Sequence, residues 1–329
     1  MNSERLPQTF YDAKAKNRWR TGMLMLLFPV MILFITYLGI VIMQVYGGEG
    51  SDVVGGSVNM FFAVSPFVIG GTVLWTILMI LRGKNMVLKL AGAKPIAKAD
   101  APELYRIVEN LSIRTGIKTP AVYIIEDESL NAFATGYSPD KAAVAVTRGI
   151  LGKLTKEELE AVLAHEFGHI LNRDIRVMLI AITLVGVLQL MSDIILRSVW
   201  YGGRSRRSSN EKNGGGAVII LAIIAVWLVG FVGSAMVQLG ISRKREFLAD
   251  AESAYLTRNP EALITALQKI SADARVEVLD GKRSIAALCI EDPLETKASR
   301  ASLLDSLQGL FSTHPKTAHR IEELKRMMN

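Results

Sequence analysis

Four long apolar segments constrain this chain more than any other feature of its sequence. They cover residues 22–45, 60–81, 177–196 and 217–241, and the only charged side chain within them is Asp193, near the end of the third. Each segment is about as long as the roughly 20 residues that a helix needs to cross a bilayer. The sequence therefore predicts an integral membrane protein, with four hydrophobic helices distributed along a chain of 329 residues.

The first apolar segment has a competing interpretation as a cleaved signal peptide, because basic residues precede it. It is longer than the apolar core of a typical signal peptide, which has about 7–15 residues. Residues 44–52 also offer no convincing cleavage site of the small-x-small type. An uncleaved membrane anchor is therefore the favoured interpretation.

The distribution of basic residues predicts the orientation of these segments. Residues 1–21 and 82–98 each carry five Lys and Arg side chains, whereas residues 46–59 carry none. Because cytoplasmic loops are enriched in Lys and Arg, residues 1–21 are predicted to be a cytoplasmic basic tail and residues 22–81 a transmembrane hairpin anchor. The basic loop at residues 197–216 opposes this rule if the last two segments both cross, so crossing is favoured but a re-entrant path stays open.

The formal net charge of +7 raises the question of which acidic partner the chain meets. The basic residues gather mainly beside the apolar segments, where anionic lipid headgroups are the simplest partner. The lipid bilayer is therefore predicted as a partner, and nucleic acid is not. The single cysteine, Cys289, excludes an internal disulfide and is interpreted as a small buried apolar residue.

The polar parts of the chain predict a mixed α and β structure. Residues 121–125 and 142–147 have strand patterns, with residues 131–134 extended between them. Asp100 is predicted to cap the start of a helix that ends near Gly116. Further helical patterns cover residues 246–256, 261–270 and 317–328.

One pentapeptide carries the chemistry of the chain: His165-Glu166-Phe167-Gly168-His169. It lies in a predicted helix that begins near Lys156, after a capping box formed by Thr155 and Glu158. Two histidines four residues apart lie on one face of a helix, where both can bind a single metal ion. Glu166 between them can take a proton from an attacking water, as a zinc peptidase requires.

A catalytic zinc site needs a third protein ligand. The other two histidines are His314 and His319, which leaves few imidazoles to choose from. A second candidate is the pair Glu246 and Asp250, which are four residues apart on one predicted helical face. One of these carboxylates could bind the metal while the other accepts the free N–H of a ligand histidine.

These motifs together resemble the HtpX family of membrane zinc metalloproteases, which are relatives of the CAAX prenyl-protein endopeptidases. The resemblance covers nearly the whole chain and includes the pairs of hydrophobic segments before and within the catalytic domain. It rests on four sets of residues: the pentapeptide 165–169, Glu246 with Asp250, residues 131–136, and His314-Pro315 with Arg320. It implies a mainly α integral membrane protein whose four hydrophobic helices accompany an α+β zincin-like (gluzincin) catalytic domain with a small sheet.

The resemblance also implies a division of the chain into segments. Residues 82–176 would form the first half of the catalytic domain, with the zinc-motif helix. Residues 177–241 would form a second hydrophobic helix pair with a basic Gly/Ser loop, and residues 242–329 the second half of the catalytic domain. One Zn²⁺ ion is expected per subunit, and the oligomeric state stays open.

The site residues implied by the resemblance are specific. Glu246 would be the third zinc ligand beside His165 and His169, and Asp250 would hydrogen-bond a ligand from outside the coordination sphere. An edge strand at Asn131, Ala132 and Phe133 would pair with an extended substrate. In the late motif, Arg320 would contact substrate, and His314 would donate a hydrogen bond to the oxyanion.

The function implied is hydrolysis of misfolded or damaged membrane proteins at the cytoplasmic face of a bacterial or archaeal plasma (inner) membrane, as a stress response. Two other classes compete with this interpretation. The polar residues 156–160, ahead of the third apolar segment, argue against cleavage inside the bilayer. The presence of Glu166 argues against a zinc-dependent scaffold without turnover, since a structural site has no use for a base.

Overall fold

The protein, described here from a computed structural model, is mainly helical with one small mixed sheet. The structure describes residues 10–47, 53–182, 184, 197, 243–272, 289–290, 315 and 317–328. The helices are α1 (Phe10–Gly47), α2 (Val53–Leu90), α3 (Pro102–Thr115), α4 (Arg148–Lys153), α5 (Lys156–Leu171), α6 (Arg243–Thr257), α7 (Pro260–Ala272) and α8 (Thr317–Arg326). The strands are β1 (Ala93–Pro95), β2 (Ala121–Ile125), β3 (Ala132–Thr135) and β4 (Ala143–Thr147).

Two described helices are long and apolar enough to cross a bilayer, over Asn17–Val41 in α1 and Val54–Leu90 in α2. They correspond to the first two predicted apolar segments. Because α2 already begins at Val53, the predicted connection at residues 46–59 is too long, and its second half is helical. The third and fourth apolar segments lie largely outside the described residues, so their helices stay predictions.

The chain forms two compact units. One contains residues 1–21, 82–182 and 237–329, and the other contains residues 22–81 and 183–236. Within the second unit, α1 and α2 meet through an edge-to-face contact between the rings of Tyr37 and Phe61, with centroids 5.6 Å apart. Phe67 on α2 is 81% exposed. Apolar side chains on an outer helical surface are what a lipid environment favours.

The sheet belongs to the first unit and has the strand order β1-β2-β4-β3. β2 and β4 run parallel, while β1 and β3 pair antiparallel to β2 and β4 respectively. Every residue of β4 is buried, as expected for a strand in the middle of a covered sheet. The three predicted strands are confirmed, and β1 is an additional strand that the sequence analysis did not predict.

Helical residues pack on both faces of this sheet. On one face, α3, α5 and α7 form the main core, with contributions that include Val108, Val144, Leu163 and Leu267. On the other face, Val87 and Leu88 at the end of α2 pack with Leu179, Phe133 and Cys289. Cys289 is buried, as predicted. The pentapeptide helix α5 therefore lies inside the unit, against the sheet.

Local capping signals explain where the helices begin and end. The capping box of α5 is present: Thr155 Oγ1 accepts from the backbone N–H of Glu158 at 3.3 Å, and Glu158 Oε2 accepts from that of Thr155 at 2.8 Å. The predicted cap of α3 is wrong, because Ala101 occupies the N-cap position and Asp100 instead accepts from the N–H of Ala97. Gly116 ends α3 in the left-handed conformation, as predicted.

Candidate active site

Helix α5 places two imidazoles side by side. Because His165 and His169 are one turn apart, their rings point to the same side of the helix, and the two Nε2 atoms are 3.1 Å apart. His165 is fully buried, whereas His169 is partly exposed. The predicted pairing of the two histidines is present in the structure.

Helix α6 brings Glu246 to the same point. Its Oε2 lies 3.7 Å from His165 Nε2, and its Oε1 lies 3.6 Å from His169 Nε2. A tetrahedral zinc ion with bonds of about 2.0–2.1 Å separates its ligand atoms by about 3.3–3.4 Å. The two Nε2 atoms, 3.1 Å apart, are close to that separation, and each has a different oxygen of the Glu246 carboxylate at 3.6–3.7 Å. These side chains therefore suit a zinc ion, and among the described residues no fourth side chain joins the three.

Two carboxylates fix the proton positions on the histidine rings. His165 Nδ1 lies 2.9 Å from Asp250 Oδ1, and His169 Nδ1 lies 2.9 Å from Asp174 Oδ2. If each Nδ1–H donates to its carboxylate, both Nε2 atoms carry lone pairs. Two lone pairs facing each other at 3.1 Å repel unless a cation lies between them. The hydrogen-bond pattern around the rings thus favours a bound cation.

The electrostatic environment differs between the two histidines. Burial lowers the pKa of His165 to about 4, and the positive charge of Arg320 adds to this effect. Burial also lowers the pKa of His169, but the carboxylates of Glu246 and Asp174 outweigh it and raise the pKa to about 9. The negative charge around His169 therefore favours a cation, either a proton or a metal ion.

Glu166 lies beside this cluster without being one of its three ligands. It is buried, and burial raises its pKa to about 7 against the opposing effect of His169. The backbone N–H of Ala134 on β3 donates a hydrogen bond to its carboxylate. A buried carboxyl group with a raised pKa holds a proton more readily than an exposed one, as a general base requires.

Arg320 on α8 binds Asp250 and so supports the cluster from behind. Its guanidinium donates to both oxygens of Asp250, from Nε to Oδ2 at 2.9 Å and from Nη2 to Oδ1 at 2.7 Å. A third bond runs from Nη1 to the carbonyl oxygen of Ile290 at 2.9 Å. Arg320 has 0% of its surface exposed, so it lies behind His165 and Asp250 and not on a surface open to solvent.

The predicted substrate strand lies at the edge of the described sheet. Asn131 directly precedes β3, and its backbone N–H donates to Thr147 Oγ1 at 3.0 Å. The side chain of Phe133 is buried in the core on the far side of the sheet. The carbonyl of Ala132 accepts a hydrogen bond from the N–H of Ile290 at 3.1 Å. His314 lies outside the described residues.

Asp174 was not among the residues predicted from the sequence, and it holds His169 as Asp250 holds His165. The signal available in the sequence was an acidic residue shortly after the pentapeptide. In the structure this residue lies in a turn where Arg173 has a positive φ of 59°. Since a bound histidine almost always donates its second N–H to a carboxylate, carbonyl or water, a partner for each histidine could have been sought near the motif.

Gly168, inside the pentapeptide, sets the spacing between α5 and α6. A Cβ added there would lie 3.1 Å from the Cα of Ala249 and 3.3 Å from its Cβ. We expect Gly168→Val to push α6 away and to weaken zinc binding at least about tenfold, because metal ligands tolerate displacements of only about 0.5 Å. Competition with a fluorescent zinc chelator would measure the change.

The matched control for this substitution is Gly152→Val on α4, where a new Cβ meets no atom within 4 Å. Both variants replace a helical glycine by a β-branched residue, so their effects on helix propensity are similar. Equal zinc affinity in the two variants would contradict the view that close packing at Gly168 positions Glu246.

Comparisons with known proteins agree with this geometry. The model of the peptidase family M48 matches residues 98–328. The "Protease HtpX homolog" of Bacteroides fragilis is 36% identical over 316 residues, covering 95% of this chain and 97% of that protein. The homologue of the same name from Lactobacillus acidophilus is 37% identical over 325 residues, covering 96% and 99% respectively.

Among solved structures, the crystal structure of S. mikatae Ste24p matches with a TM-score of 0.44 and 19% identity, covering 87% of this chain and 62% of that one. The family match and the two similar proteases are sufficient to assign this chain to a family. Together with the two apolar helices, they point to a membrane protein. This chain therefore belongs to peptidase family M48, whose members are metalloproteases, and within it to the HtpX-type proteases.

Proposed function

We propose that the protein is a zinc-dependent endopeptidase of the gluzincin type, with His165, His169 and Glu246 as ligands and Glu166 as the general base. The observation that carries the proposal is the placement of Glu166 beside a three-ligand cluster. Structural zinc sites have four protein ligands, whereas catalytic ones have three and an open position. Among the described residues, these three side chains form the one group suited to a metal.

Zinc, when bound, would supply a Lewis acid that polarises the scissile carbonyl and activates water. Glu166 accepts the proton of the attacking water and then delivers it to the leaving amine. Asp250 and Asp174 hold the two histidines in the tautomer that leaves both Nε2 atoms available. Arg320 keeps Asp250 ionised and oriented, which makes it a positioning residue in this proposal. An oxyanion contact from His314 stays part of the proposal.

The substrate is proposed to bind as an extended strand along β3, at Asn131, Ala132 and Phe133. Free edge strands recognise peptides through their backbone groups, which gives little dependence on side-chain sequence. The carbonyl of Ala132 is engaged by Ile290, so a substrate that pairs at this position must replace that bond. Recognition of backbone fits a protease that acts on many misfolded chains.

The site is proposed to face the cytoplasm of a multi-pass inner-membrane protein with four hydrophobic helices, and to cut misfolded membrane proteins there. The charge distribution around the first two segments supports this orientation. The polar first turns of α5, before the third apolar segment, support a site at the membrane boundary and not within the bilayer. Stress-linked quality control is the role proposed for this activity.

The test uses the full chain reconstituted in liposomes, with a single-span membrane protein carrying a destabilised cytoplasmic domain as substrate. We expect cleavage to stop with a zinc chelator and to return with Zn²⁺ but not with Mg²⁺, because imidazole ligands select zinc over magnesium. Mapping the products should place the cuts in the cytoplasmic domain. Cleavage that persists at full rate without metal would refute the proposal, and cuts within the apolar span would favour an intramembrane protease.

A further inference from the structure

Behind His169 lies a buried polar cluster made by three separate parts of the chain: Asn17, Asp174 and Arg245. Asn17 belongs to the part of α1 that precedes the apolar residues 22–45. Asp174 follows α5, and Arg245 lies in the first turn of α6. All three side chains are less than a tenth exposed, and Asn17 is only 3% exposed.

The contacts form a chain that ends at the metal site. Asn17 Nδ2 donates to Asp174 Oδ1 at 2.6 Å and to the carbonyl oxygen of Asn172 at 2.8 Å. Arg245 Nη1 donates to the same Oδ1 at 3.2 Å. The other oxygen of this carboxylate, Oδ2, lies 2.9 Å from His169 Nδ1. One carboxylate oxygen thus takes the supporting donors, and the other is left for the histidine.

Asn17 also holds the turn in which Asp174 lies. By bonding both the carbonyl of Asn172 and the carboxylate of Asp174, its amide bridges two residues on either side of Arg173. Arg173 has a φ of 59°, a left-handed conformation that few residues other than glycine adopt. Such a turn persists where surrounding contacts hold it, and the Asn17 amide supplies two of these contacts.

We propose that Asn17 is a positioning residue of the metal centre, which acts on His169 through Asp174. The proposal rests on the metal site proposed above. It places part of the catalytic centre more than 140 residues before the zinc-binding motif, in the N-terminal basic segment. Arg245 contributes to the same carboxylate, but it adjoins the ligand Glu246, so Asn17 is the residue whose substitution can be interpreted.

The test measures zinc affinity of the full chain in detergent by chelator competition. We expect Asn17→Ala to weaken zinc binding about tenfold, the lower end of the range for residues that support metal ligands. Alanine favours helix more than asparagine does, so a loss cannot come from a weakened α1. Asn17→Asp keeps the shape but places a second carboxylate against Asp174, and it should weaken binding at least as much.

Asn110→Ala is the matched control, because Asn110 is an exposed asparagine within helix α3. It should bind zinc like the wild type.

In the zinc-loaded enzyme, Asn17→Ala should lower kcat and leave KM unchanged, since Asn17 acts on the metal ligand and not on substrate. The unfolding midpoint of the metal-free variants would show whether a variant is folded, and the isosteric Asn17→Asp covers the case in which alanine leaves a cavity.

A double-mutant cycle with Asp174→Asn tests whether Asn17 acts through Asp174. In that background, Asn17→Ala should change zinc affinity less than twofold. The proposal is overturned if Asn17→Ala and Asn17→Asp both bind zinc within twofold of the wild type, or if the losses from Asn17 and Asp174 simply add. If the wild-type chain itself binds no zinc, the proposed metal centre fails and this inference fails with it, which is a distinguishable result.

Discussion

Glu166→Gln is expected to lose peptide hydrolysis by a factor of about 10²–10⁴, the contribution of a positioned general base, and to keep its zinc. Glutamine has the same shape but cannot accept the proton of the attacking water. Glu166 is not one of the three ligand side chains, so the metal cluster stays complete. The measurements are the rate of β-casein cleavage and the zinc content of the purified protein.

The stability of this variant provides an independent check. Burial raises the pKa of Glu166 from 4.5 to about 7, so the stability of the folded, metal-free protein falls as the pH rises through this range and stays lower above it. A neutral glutamine removes this cost, and the metal-free variant should unfold at the same temperature as the wild type or higher at pH 8. With that result, a loss of activity in Glu166→Gln could not be attributed to misfolding.

Glu157→Gln is the matched control, since Glu157 is an exposed glutamate in the first turn of the same helix α5. It should cleave β-casein at close to the wild-type rate. Full activity in Glu166→Gln would end the assignment of Glu166 as the base. Equal losses in both variants would point to a general effect on α5.

The elements that the sequence predicted correctly are those written in short-range patterns. The capping box at Thr155 and Glu158, the left-handed cap at Gly116 and the four-residue spacing of His165 and His169 each depend on a few neighbouring residues. Such signals need few distant contacts, because the groups that satisfy one another are close in the chain. For that reason the pentapeptide alone was enough to predict the two histidines of the proposed metal site. The cap predicted at Asp100 is an exception, because its carboxylate bonds backward to the N–H of Ala97.

The features that the sequence did not predict depend on distant partners. β1 is only three residues long and exists because it pairs with β2 across a helix and a turn. Asn17 meets Asp174 across 157 positions. No local pattern marks an asparagine in a basic tail as part of a metal site.

Arg320 illustrates the same limit at the site itself. The resemblance placed it among substrate contacts, and no observation tests that role. The structure places its guanidinium on Asp250 in full burial, where losing either partner would leave an uncompensated charge. Burial raises the pKa of Asp250, but the positive charge of Arg320 outweighs this and lowers the pKa below its usual value. Asp250 therefore stays ionised and can accept the Nδ1–H of His165.

Helix α6 thus serves the metal site twice, because Glu246 and Asp250 are one turn apart on the same face. Glu246 would complete the proposed ligand set, and Asp250 Oδ1 lies 2.9 Å from Nδ1 of His165. The close contact between Gly168 and Ala249 lets this helix approach α5. The proposed metal site therefore depends on α6 as well as on the pentapeptide, although α6 contains no histidine.

Glu246→Ala is therefore expected to lose both the metal and hydrolysis. The substitution removes the one anionic ligand and leaves two neutral imidazoles. We expect zinc affinity to fall by more than about 100-fold, beyond the range seen when supporting residues outside the coordination sphere are removed. Chelator competition would measure the affinity, and β-casein cleavage the activity.

The control for this variant is Glu261→Ala, at an exposed glutamate in the first turn of α7, which should keep wild-type affinity. The comparison with Glu166→Gln is decisive, because both variants stop hydrolysis but Glu246→Ala alone should release zinc. Stoichiometric zinc at wild-type affinity in Glu246→Ala would mean that another residue supplies the third ligand. The geometry predicts the opposite, since the two carboxylate oxygens of Glu246 lie 3.7 Å from His165 Nε2 and 3.6 Å from His169 Nε2 respectively.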